Sequence, residues 1–136
     1  MVIVPKADVL TQPYWDGVRQ RELRIQQCRQ CGKVWHPPQH LCPDCHSANV
    51  EWVAASGRAT LYSYTVVQHP AHVAVADRVP YLVGLATLAE GPRVVCNLLN
   101  CERGEVRIGM PLKLTFQEIA PGVLLPQFEP ARESSP

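Results

Sequence analysis

Four of the six cysteines in this sequence come in two pairs with the spacing of metal ligands. Cys28 and Cys31 are separated by two residues, and Cys42 and Cys45 repeat that spacing further along the chain. Two residues between thiols let both sulfurs turn toward one point, so two such turns complete a tetrahedral site of four thiolates. The spacing therefore predicts a metal centre with these four cysteines as its ligands.

The complete set of thiols predicts what the metal does. Zinc is the default ion for four thiolates, and iron also suits tetrahedral sulfur geometry. Catalytic zinc needs an open position, so we expect one structural ion per chain, with redox-active pairs or unligated thiols as the alternative. Gly32 suits the first turn because it tolerates positive φ, whereas His46 occupies the equivalent place in the second. His36, His40 and His46 lie close enough in sequence to act as ligands, but four thiols leave them no vacancy.

The other two cysteines do not belong to the metal set. Cys96 shares a predicted strand face with Val94 and Leu98, which indicates a buried and inert thiol. Cys101 lies at a predicted turn. A nucleophilic cysteine requires a lowered pKa and a nearby base, so cysteine catalysis is the weaker interpretation of either residue. The sequence also contains no Gly-x-Ser-x-Gly, phosphate-loop or His-Glu-x-x-His motif.

Composition limits the class of protein that must position these residues. The chain has 136 residues, of which 46% are hydrophobic and 18% charged, so it can form one domain or two very small ones with a packed core. A net charge of +1 disfavours a protein that binds by neutralising many phosphates. The apolar stretch 82–89 is far shorter than the roughly 18 residues of a membrane helix, and the first residues lack a signal-peptide core. We therefore predict a cytoplasmic protein with reduced thiols and no membrane contact.

The pattern of turns and alternation predicts a mainly β fold in four segments. These are an N-terminal helical arm (1–27), a zinc ribbon (28–57), an OB-fold (58–128) and a flexible tail (129–136). The arm contains a short helix from about Pro13 to Glu22, followed by a strand over residues 23–27 that leads into the first cysteine.

Five strands separated by Gly and Pro turns predict a small barrel, of which the five-stranded OB-fold is a compact example. The connection 69–79 is the one long internal loop and is expected to be mobile. The predicted strands are Ala59–Gln68, Tyr81–Ala89, Arg93–Asn100, Leu112–Ile119 and Val123–Phe128.

The order of helix, four-cysteine ribbon and barrel resembles a known family. This is the family of acyl-CoA-associated proteins in which a rubredoxin-like zinc ribbon precedes an OB-fold, the domain-of-unknown-function 35 type. The residues that carry the resemblance are 28–32, 36–38, 42–45, 56–65, 79–81 and 108–110.

The resemblance implies an accessory subunit in a hetero-oligomer and not an enzyme on its own. Members of the family are partners of thiolase-like or aldolase enzymes, or of enoyl-CoA hydratases, in lipid, steroid side-chain or polyketide metabolism. The domain then binds or positions the acyl-CoA thioester while the partner carries the catalytic groups.

Coenzyme A offers phosphates, an adenine ring and a long pantetheine arm, so a groove for it needs basic groups and stacking rings. The barrel half supplies both kinds of residue. For each cation the alternative is a solvated surface residue, and for each tyrosine it is sheet packing. The candidate residues for coenzyme A are Arg58, Tyr62, Tyr64, Tyr81, Arg93 and Lys113.

Zinc ribbons and OB-folds also occur in nucleic-acid-binding proteins, so a single-strand-binding module is the alternative function. Such proteins combine a basic groove with stacking rings. Residues 58–128 hold six Lys and Arg against five Asp and Glu, and aromatic residues make up 7% of the chain. This balance disfavours nucleic acid as the partner. A self-sufficient enzyme is a third and weaker interpretation.

Overall fold

The computed structural model describes residues 4–132 and confirms a mainly β fold with one short helix. Two 3-10 turns, Val73–Val75 and Arg103–Glu105, lie in the longer connections. The helix and strands in chain order are α1 (Gln12–Arg19), β1 (Arg24–Cys28), β2 (Val34–Trp35), β3 (Val50–Ala54), β4 (Arg58–Val67), β5 (Tyr81–Leu88), β6 (Arg93–Asn97), β7 (Pro111–Ala120) and β8 (Val123–Pro130).

Helix α1 begins at a proline-containing first turn, as predicted, but ends at Arg19 and not at Glu22. Arg21, two residues after the end of the helix, has a φ of 60°. Its N–H donates to the carbonyl of Val18 at 3.0 Å, and the N–H of Glu22 donates to the carbonyl of Gly17 at 2.8 Å. This pair of bonds is a Schellman motif, which satisfies the last carbonyls and turns the chain away from the helix axis.

The ribbon contains a three-stranded antiparallel sheet in the order β2, β1, β3. In its register Ile25 lies opposite Val53, and Cys28 opposite Val50. Strand β2 has only two residues and was not predicted, because so short a strand shows no alternation of apolar and polar residues.

The second sheet has five antiparallel strands in the order β6, β5, β4, β7, β8. A parallel bridge between Leu98 and Phe128 brings β6 and β8 together, and the N–H of Leu99 donates to the carbonyl of Phe128 at 2.9 Å. A register shift between Leu61 and Ser63 marks a bulge in β4, and bulges bend and twist a strand. The sheet is therefore closed into the five-stranded barrel of an OB-fold.

One apolar core extends from the barrel into the strand that precedes the ribbon. Leu23 and Ile25 are fully buried in the same cluster as Leu61, Leu112 and Phe128 of the barrel. The end of the arm thus supplies core to the barrel, and the domain boundaries at 27/28 and 57/58 stay predictions.

The C-terminal residues continue the barrel beyond the predicted last strand. Strand β8 runs to Pro130, and Arg132 forms an ion pair with Glu105 at 2.8 Å. The rest of the predicted tail, residues 133–136, lies outside the described residues. Within 4–132, no helix is both long and apolar enough to span a bilayer.

Candidate functional site

Two matching turns carry the four cysteines of the predicted metal centre. The residue after the second thiol of each pair, Gly32 or His46, has a positive φ of 83° or 62°. Its N–H donates to the carbonyl of the first cysteine of the pair, at 3.0 Å and 2.9 Å respectively. The turns therefore have the same backbone, as the spacing predicts. His46 adopts a conformation that costs a residue with a Cβ roughly 1–2 kcal/mol.

The four cysteine sulfurs form one compact group within 4.8 Å of one another. The Sγ atoms of Cys28 and Cys45 are 3.5 Å apart, and those of Cys31 and Cys42 are 3.6 Å apart. A tetrahedral ion with metal–sulfur bonds of about 2.3 Å requires sulfurs about 3.8 Å apart. The donor set and its spacing therefore fit a zinc ion, which belongs at the centre of this group.

Backbone N–H groups favour the thiolate form of the first cysteine. The N–H groups of Cys31 and Gln30 lie 3.4 and 3.3 Å from the Cys28 sulfur. These bonds, above all the one from Cys31, lower the pKa of the Cys28 thiol to about 6. Since a metal binds the thiolate, the turn prepares this sulfur for coordination.

A small buried cluster supports the metal centre from the side of the sheet. Trp35 packs with Cys28 and Cys42, and all three residues are at most 5% exposed. The indole Nε1–H donates to the side-chain oxygen of buried Gln26 at 2.7 Å, and the same oxygen accepts the N–H of Gln39 at 2.6 Å. These bonds satisfy the buried amide oxygen and hold Trp35 against the thiols.

The three histidines near the cysteines take no place in the thiol group. His36 is tilted against Tyr14 with ring centres 5.7 Å apart, and burial lowers its pKa. His40 and His46 are exposed. Among residues 4–132, the four cysteines are the only group of His, Cys, Asp or Glu side chains placed to hold a metal.

The structure confirms the predicted burial of Cys96 and gives no sign of a nucleophile at Cys101. Cys96 is 7% exposed, and burial raises the pKa of its thiol to about 12. Burial, followed by the negative charge of Glu105, raises the pKa of Cys101 as well. Both thiols are therefore protonated near neutral pH, which is the opposite of what a nucleophile requires.

Four of the six candidate residues for coenzyme A form two separate pairs on the outside of the barrel. The guanidinium of Arg93 lies 3.7 Å from the ring centre of Tyr62, a cation–π contact on a half-exposed ring. Arg58 and Lys113 are directly opposite each other in β4 and β7. Lys113 also lies opposite Glu129 in β8 and pairs with its carboxylate at 4.0 Å, which offsets the repulsion between the two cations.

The remaining two candidates lie apart from these pairs. Tyr64 is 40% exposed, so neither it nor Tyr62 packs in the core. Tyr81 begins β5 and lines a cavity whose wall includes none of the other five candidates. The structure thus distributes the predicted coenzyme A residues over the barrel surface and does not collect them into one groove.

That cavity is lined by polar residues that are not among the candidates predicted from the sequence. It has a volume of about 450 Å3 and lies where β5 begins and β6 ends, and Arg78, Asn97 and Gln117 contribute to its wall. Behind them lies Gln127, which is 4% exposed and donates to the side-chain oxygens of Asn97 and Gln117, each at 3.2 Å. In the sequence, the one indication of this network is a polar residue, Gln127, next to Phe128 in an otherwise apolar strand. The pattern of that strand does not predict that Gln127 and Phe128 are both buried.

Comparison with known families and structures gives a result that agrees with this architecture. Residues 15–51 match the family described as "ChsH2, rubredoxin-like zinc ribbon domain", and residues 52–117 match "ChsH2, C-terminal OB-fold domain". The chain belongs to the ChsH2 family. The ribbon assignment and the geometry of the four thiols together support a structural zinc ion.

Two curated relatives and one solved structure illustrate the extent of the similarity. The chain is 41% identical over 118 residues to the "Probable enoyl-CoA hydratase alpha subunit" of Thermomonospora curvata, covering 87% of this chain and 36% of that one. It is 35% identical over 112 residues to the "3-oxo-4,17-pregnadiene-20-carboxyl-CoA hydratase alpha subunit" of Mycobacterium tuberculosis, covering 82% and 35%. The chain therefore spans about a third of the length of these hydratase subunits.

The similarity to a solved ChsH2 structure extends over nearly the whole chain. A chain in a structure titled "Ltp2-ChsH2(DUF35) aldolase" superimposes with a TM-score of 0.86 and 38% sequence identity. The match covers 94% of this chain and 99% of the other. The region shared with that structure thus includes the ribbon, the barrel and most of the N-terminal arm.

Proposed function

We propose that this protein is a noncatalytic accessory subunit of an enzyme that processes acyl-CoA thioesters. The proposed partner is an aldolase of the thiolase-like class or an enoyl-CoA hydratase, acting on lipid or steroid side-chain substrates. The proposal rests on one observation above all, the superposition of this chain on 99% of a ChsH2 chain from an aldolase structure. The relatives whose names describe hydratase alpha subunits support the second kind of partner.

The geometry is consistent with a subunit that lacks its own catalytic groups. The one metal-ligand cluster of the described chain consists of four thiols, which leave no open position for a substrate. The two other cysteines are held in the thiol form. We propose that Cys28, Cys31, Cys42 and Cys45 bind one zinc ion, which stabilises the ribbon and takes no part in the reaction.

Stable association with a partner enzyme is the direct test. The tagged chain is co-expressed with the products of its neighbouring genes, and any complex is purified by affinity and size-exclusion chromatography. We expect a thiolase-like or hydratase-like polypeptide to be retained in a fixed ratio, and its kcat/KM for acyl-CoA to fall when this chain is omitted.

Two results contradict the proposal. One is elution of the chain alone with the partner's kcat/KM unchanged in its absence. The other is turnover of an acyl-CoA thioester by the purified chain without a partner. A control co-expression with an unrelated cytosolic enzyme shows whether retention is specific.

A further inference from the structure

Strand β6 is fully paired along only one of its edges. It pairs with β5 over 93–97, and within residues 4–132 its other edge meets β8 at a single bridge, between Leu98 and Phe128. In an antiparallel pair, alternate residues direct their backbone groups toward the neighbouring strand and away from it. The N–H of Leu98 donates to the carbonyl of Leu82 in β5, so even-numbered residues face β5 and odd-numbered residues face away.

Two residues of this free edge of β6 keep their backbone groups unpaired. Asn97 confirms the direction, because its outward N–H donates to the side-chain oxygen of Gln127 in β8 at 2.6 Å. The outward N–H and C=O groups of Arg93 and Val95 have no hydrogen-bond partner in the described part of the chain. Val95 is 75% exposed, and neither a proline nor a bulge interrupts the edge. The free edge therefore offers four backbone groups to another strand.

An open groove lies beside the free edge. It has a volume of about 370 Å3, and its walls include residues 95–97 of β6, Leu125 and Pro126 of β8, and Tyr14 and Trp15 of helix α1. Paired strands lie about 4.8 Å apart, so a strand bonded to the free edge would occupy the side toward β8, where this groove lies. The two aromatic rings, packed edge to face with centres 5.0 Å apart, present an apolar wall to it.

Cations stand at both ends of β6. Arg93 begins the strand, and its guanidinium lies 3.7 Å from the ring centre of Tyr62 and donates to the hydroxyl of Thr87 at 3.2 Å. Arg78 lines a cavity together with Asn97, the last residue of the strand. Neither arginine takes part in an ion pair within residues 4–132. Both ends of the free edge therefore attract negative charge.

The acidic residues near the groove and near the ends of β6 do not neutralise these cations. Asp16 of helix α1 forms an ion pair with Arg19 at 3.6 Å. Glu90, in the turn before β6, accepts the N–H of Ser56 at 2.7 Å. Asp77 is exposed to solvent and does not line the cavity at the end of β6. The charges left at the two ends of the strand are therefore those of the two arginines.

From these observations we infer that the free edge of β6 binds an extended, acidic segment of another protein by β-strand addition. The backbone groups of Arg93 and Val95 pair with the segment, and its apolar side chains lie against Tyr14 and Trp15. Its acidic side chains flank the apolar ones and lie near Arg93 and Arg78. The inference is independent of the proposed function, because it requires neither an acyl thioester nor a particular enzyme.

The alternative occupant of the free edge is a second copy of this chain. Antiparallel pairing of two β6 strands would place Arg93 of each copy beside the Asn97 end of the other, where Arg78 stands. Like charges that face each other across paired strands are destabilising. The distribution of charge therefore favours an acidic segment over self-association.

Binding is measured on the purified, zinc-loaded full chain by isothermal titration calorimetry and by amide chemical shifts. The probe is a peptide of about nine residues, in which alternating valine and threonine are flanked by glutamates. One control peptide carries lysines in place of the glutamates, and another carries a central proline. We expect the acidic peptide to bind, to shift the amide signals of Arg93 and Val95, and to bind more weakly as salt is added. The controls should bind at least about tenfold more weakly.

Val95→Pro tests the backbone pairing directly. The substitution removes an outward N–H that makes no bond within the protein, and proline is tolerated on an edge whose N–H side faces solvent. We expect it to weaken binding of the acidic peptide at least about tenfold. Val73→Pro is the matched control, because Val73 is 74% exposed and begins a 3-10 turn, a position that suits proline. It should leave binding unchanged.

Arg93→Gln tests the charge and keeps the inference testable if Val95→Pro loses stability. We expect it to weaken binding of the acidic peptide about fivefold, the effect of losing one exposed ion pair. Arg107→Gln replaces an exposed arginine outside the groove and should have no effect. Melting temperatures of all four variants show whether a loss of binding reflects a loss of folding.

The inference is overturned if the acidic peptide does not bind, if the lysine peptide binds as tightly, or if Val95→Pro and Arg93→Gln both bind like the wild type. Analytical ultracentrifugation tests the alternative occupant. A wild-type dimer that Val95→Pro converts to a monomer assigns the free edge to a second copy and also overturns the inference. Retention of a partner enzyme tests the proposed function separately, so the two can fail independently.

Discussion

The four cysteines of the metal centre differ in their surroundings although their spacing is the same. In each pair the first thiol, Cys28 or Cys42, is buried against Trp35, and the second, Cys31 or Cys45, is exposed. Loss of a first thiol therefore removes both a metal ligand and a packed side chain, whereas loss of a second thiol removes only the ligand.

Replacement of a buried metal ligand should abolish metal binding and unfold the ribbon. We expect Cys42→Ser to lose the zinc ion, because the substitution removes one of its four ligands. The ribbon should then unfold, because structural zinc contributes about 10–16 kcal/mol to the folding of small zinc domains. Metal analysis of the purified protein should give about one zinc per chain for the wild type and none for the variant.

Cys101→Ser is the matched control, since Cys101 lies outside the thiol group and is only partly buried. It should retain the metal with an unchanged melting temperature. A metal-free wild-type chain with an intact ribbon, shown by unchanged amide shifts after chelation, would falsify the structural role.

At the scale of elements, helix α1 is attached to the ribbon sheet by the side chain of Arg24, which packs directly over Gly17 of the helix. The Arg24 side chain passes so close to Gly17 that a Cβ placed there would lie 2.6 Å from its Cδ. Beyond the glycine, Arg24 donates to the carbonyl of Pro13 at 3.3 Å and to the side chain of Gln20 at 3.2 Å. The glycine thus costs helix propensity but permits a connection between helix and sheet.

We predict that the effect of Gly17→Ala on the free energy of unfolding changes sign when Arg24 is replaced by alanine. Gly17→Ala should destabilise the wild type, because the methyl group displaces Arg24. In an Arg24→Ala background the same change should stabilise by about 1 kcal/mol, since alanine is the better helix former. Urea unfolding of the four proteins in this double-mutant cycle measures the coupling.

Equal effects of Gly17→Ala in the two backgrounds would show that the contact of Arg24 with the helix contributes nothing to the free energy of unfolding. Gly104→Ala serves as a control, because no atom lies within 4 Å of a Cβ added there.

The elements that sequence reasoning located are those whose signal is local. The two cysteine turns follow from spacing alone, and the five barrel strands follow from alternation between Gly and Pro turns. Helix α1 ended earlier than predicted because the left-handed Arg21 gives no clear signal in a residue that is not glycine. Strand β2 is defined only by its pairing with β1, so no property of Val34 and Trp35 by themselves could predict it.

The candidate ligand site was less predictable for the same reason. The family resemblance implies coenzyme A, and residue type alone indicates candidates for its groove, yet which strands lie side by side decides which side chains meet. Asn97, Gln117 and Gln127 come from β6, β7 and β8, and the approach of β6 to β8 exists only once the barrel is closed. Their shared network is therefore a product of topology.

At the scale of the whole molecule, Gln127 stabilises the closed barrel. Its side chain bridges β8 to β6 and β7, and its oxygen satisfies the backbone N–H of Asn97 just before the parallel bridge. Because Gln127 is buried, its own side-chain atoms cannot bond to water in place of these partners.

We expect Gln127→Leu to lower the free energy of unfolding by about 2 kcal/mol, because it leaves the backbone N–H of Asn97 without its partner. Urea unfolding measures the loss, and hydrogen exchange at Asn97 should accelerate. Gln117→Leu is the control and should cost less than about 1 kcal/mol, since the Gln117 side chain gives up a single bond at the cavity wall. Similar losses in both variants would argue against a special role of Gln127 in closure.

The register of the ribbon sheet has a consequence for how the molecule can be altered. The chain leaves β1 at Cys28 and returns in β3 at Val50, its direct partner across the sheet, while Ile25 and Val53 remain anchored at the barrel side. The segment between these two residues, which contains β2 and the other three cysteines of the metal centre, therefore connects two strands that are direct antiparallel neighbours. We expect that a segment of another length, joined at the same two residues, would leave the connectivity of the barrel unchanged, because the register between Ile25 and Val53 does not depend on it.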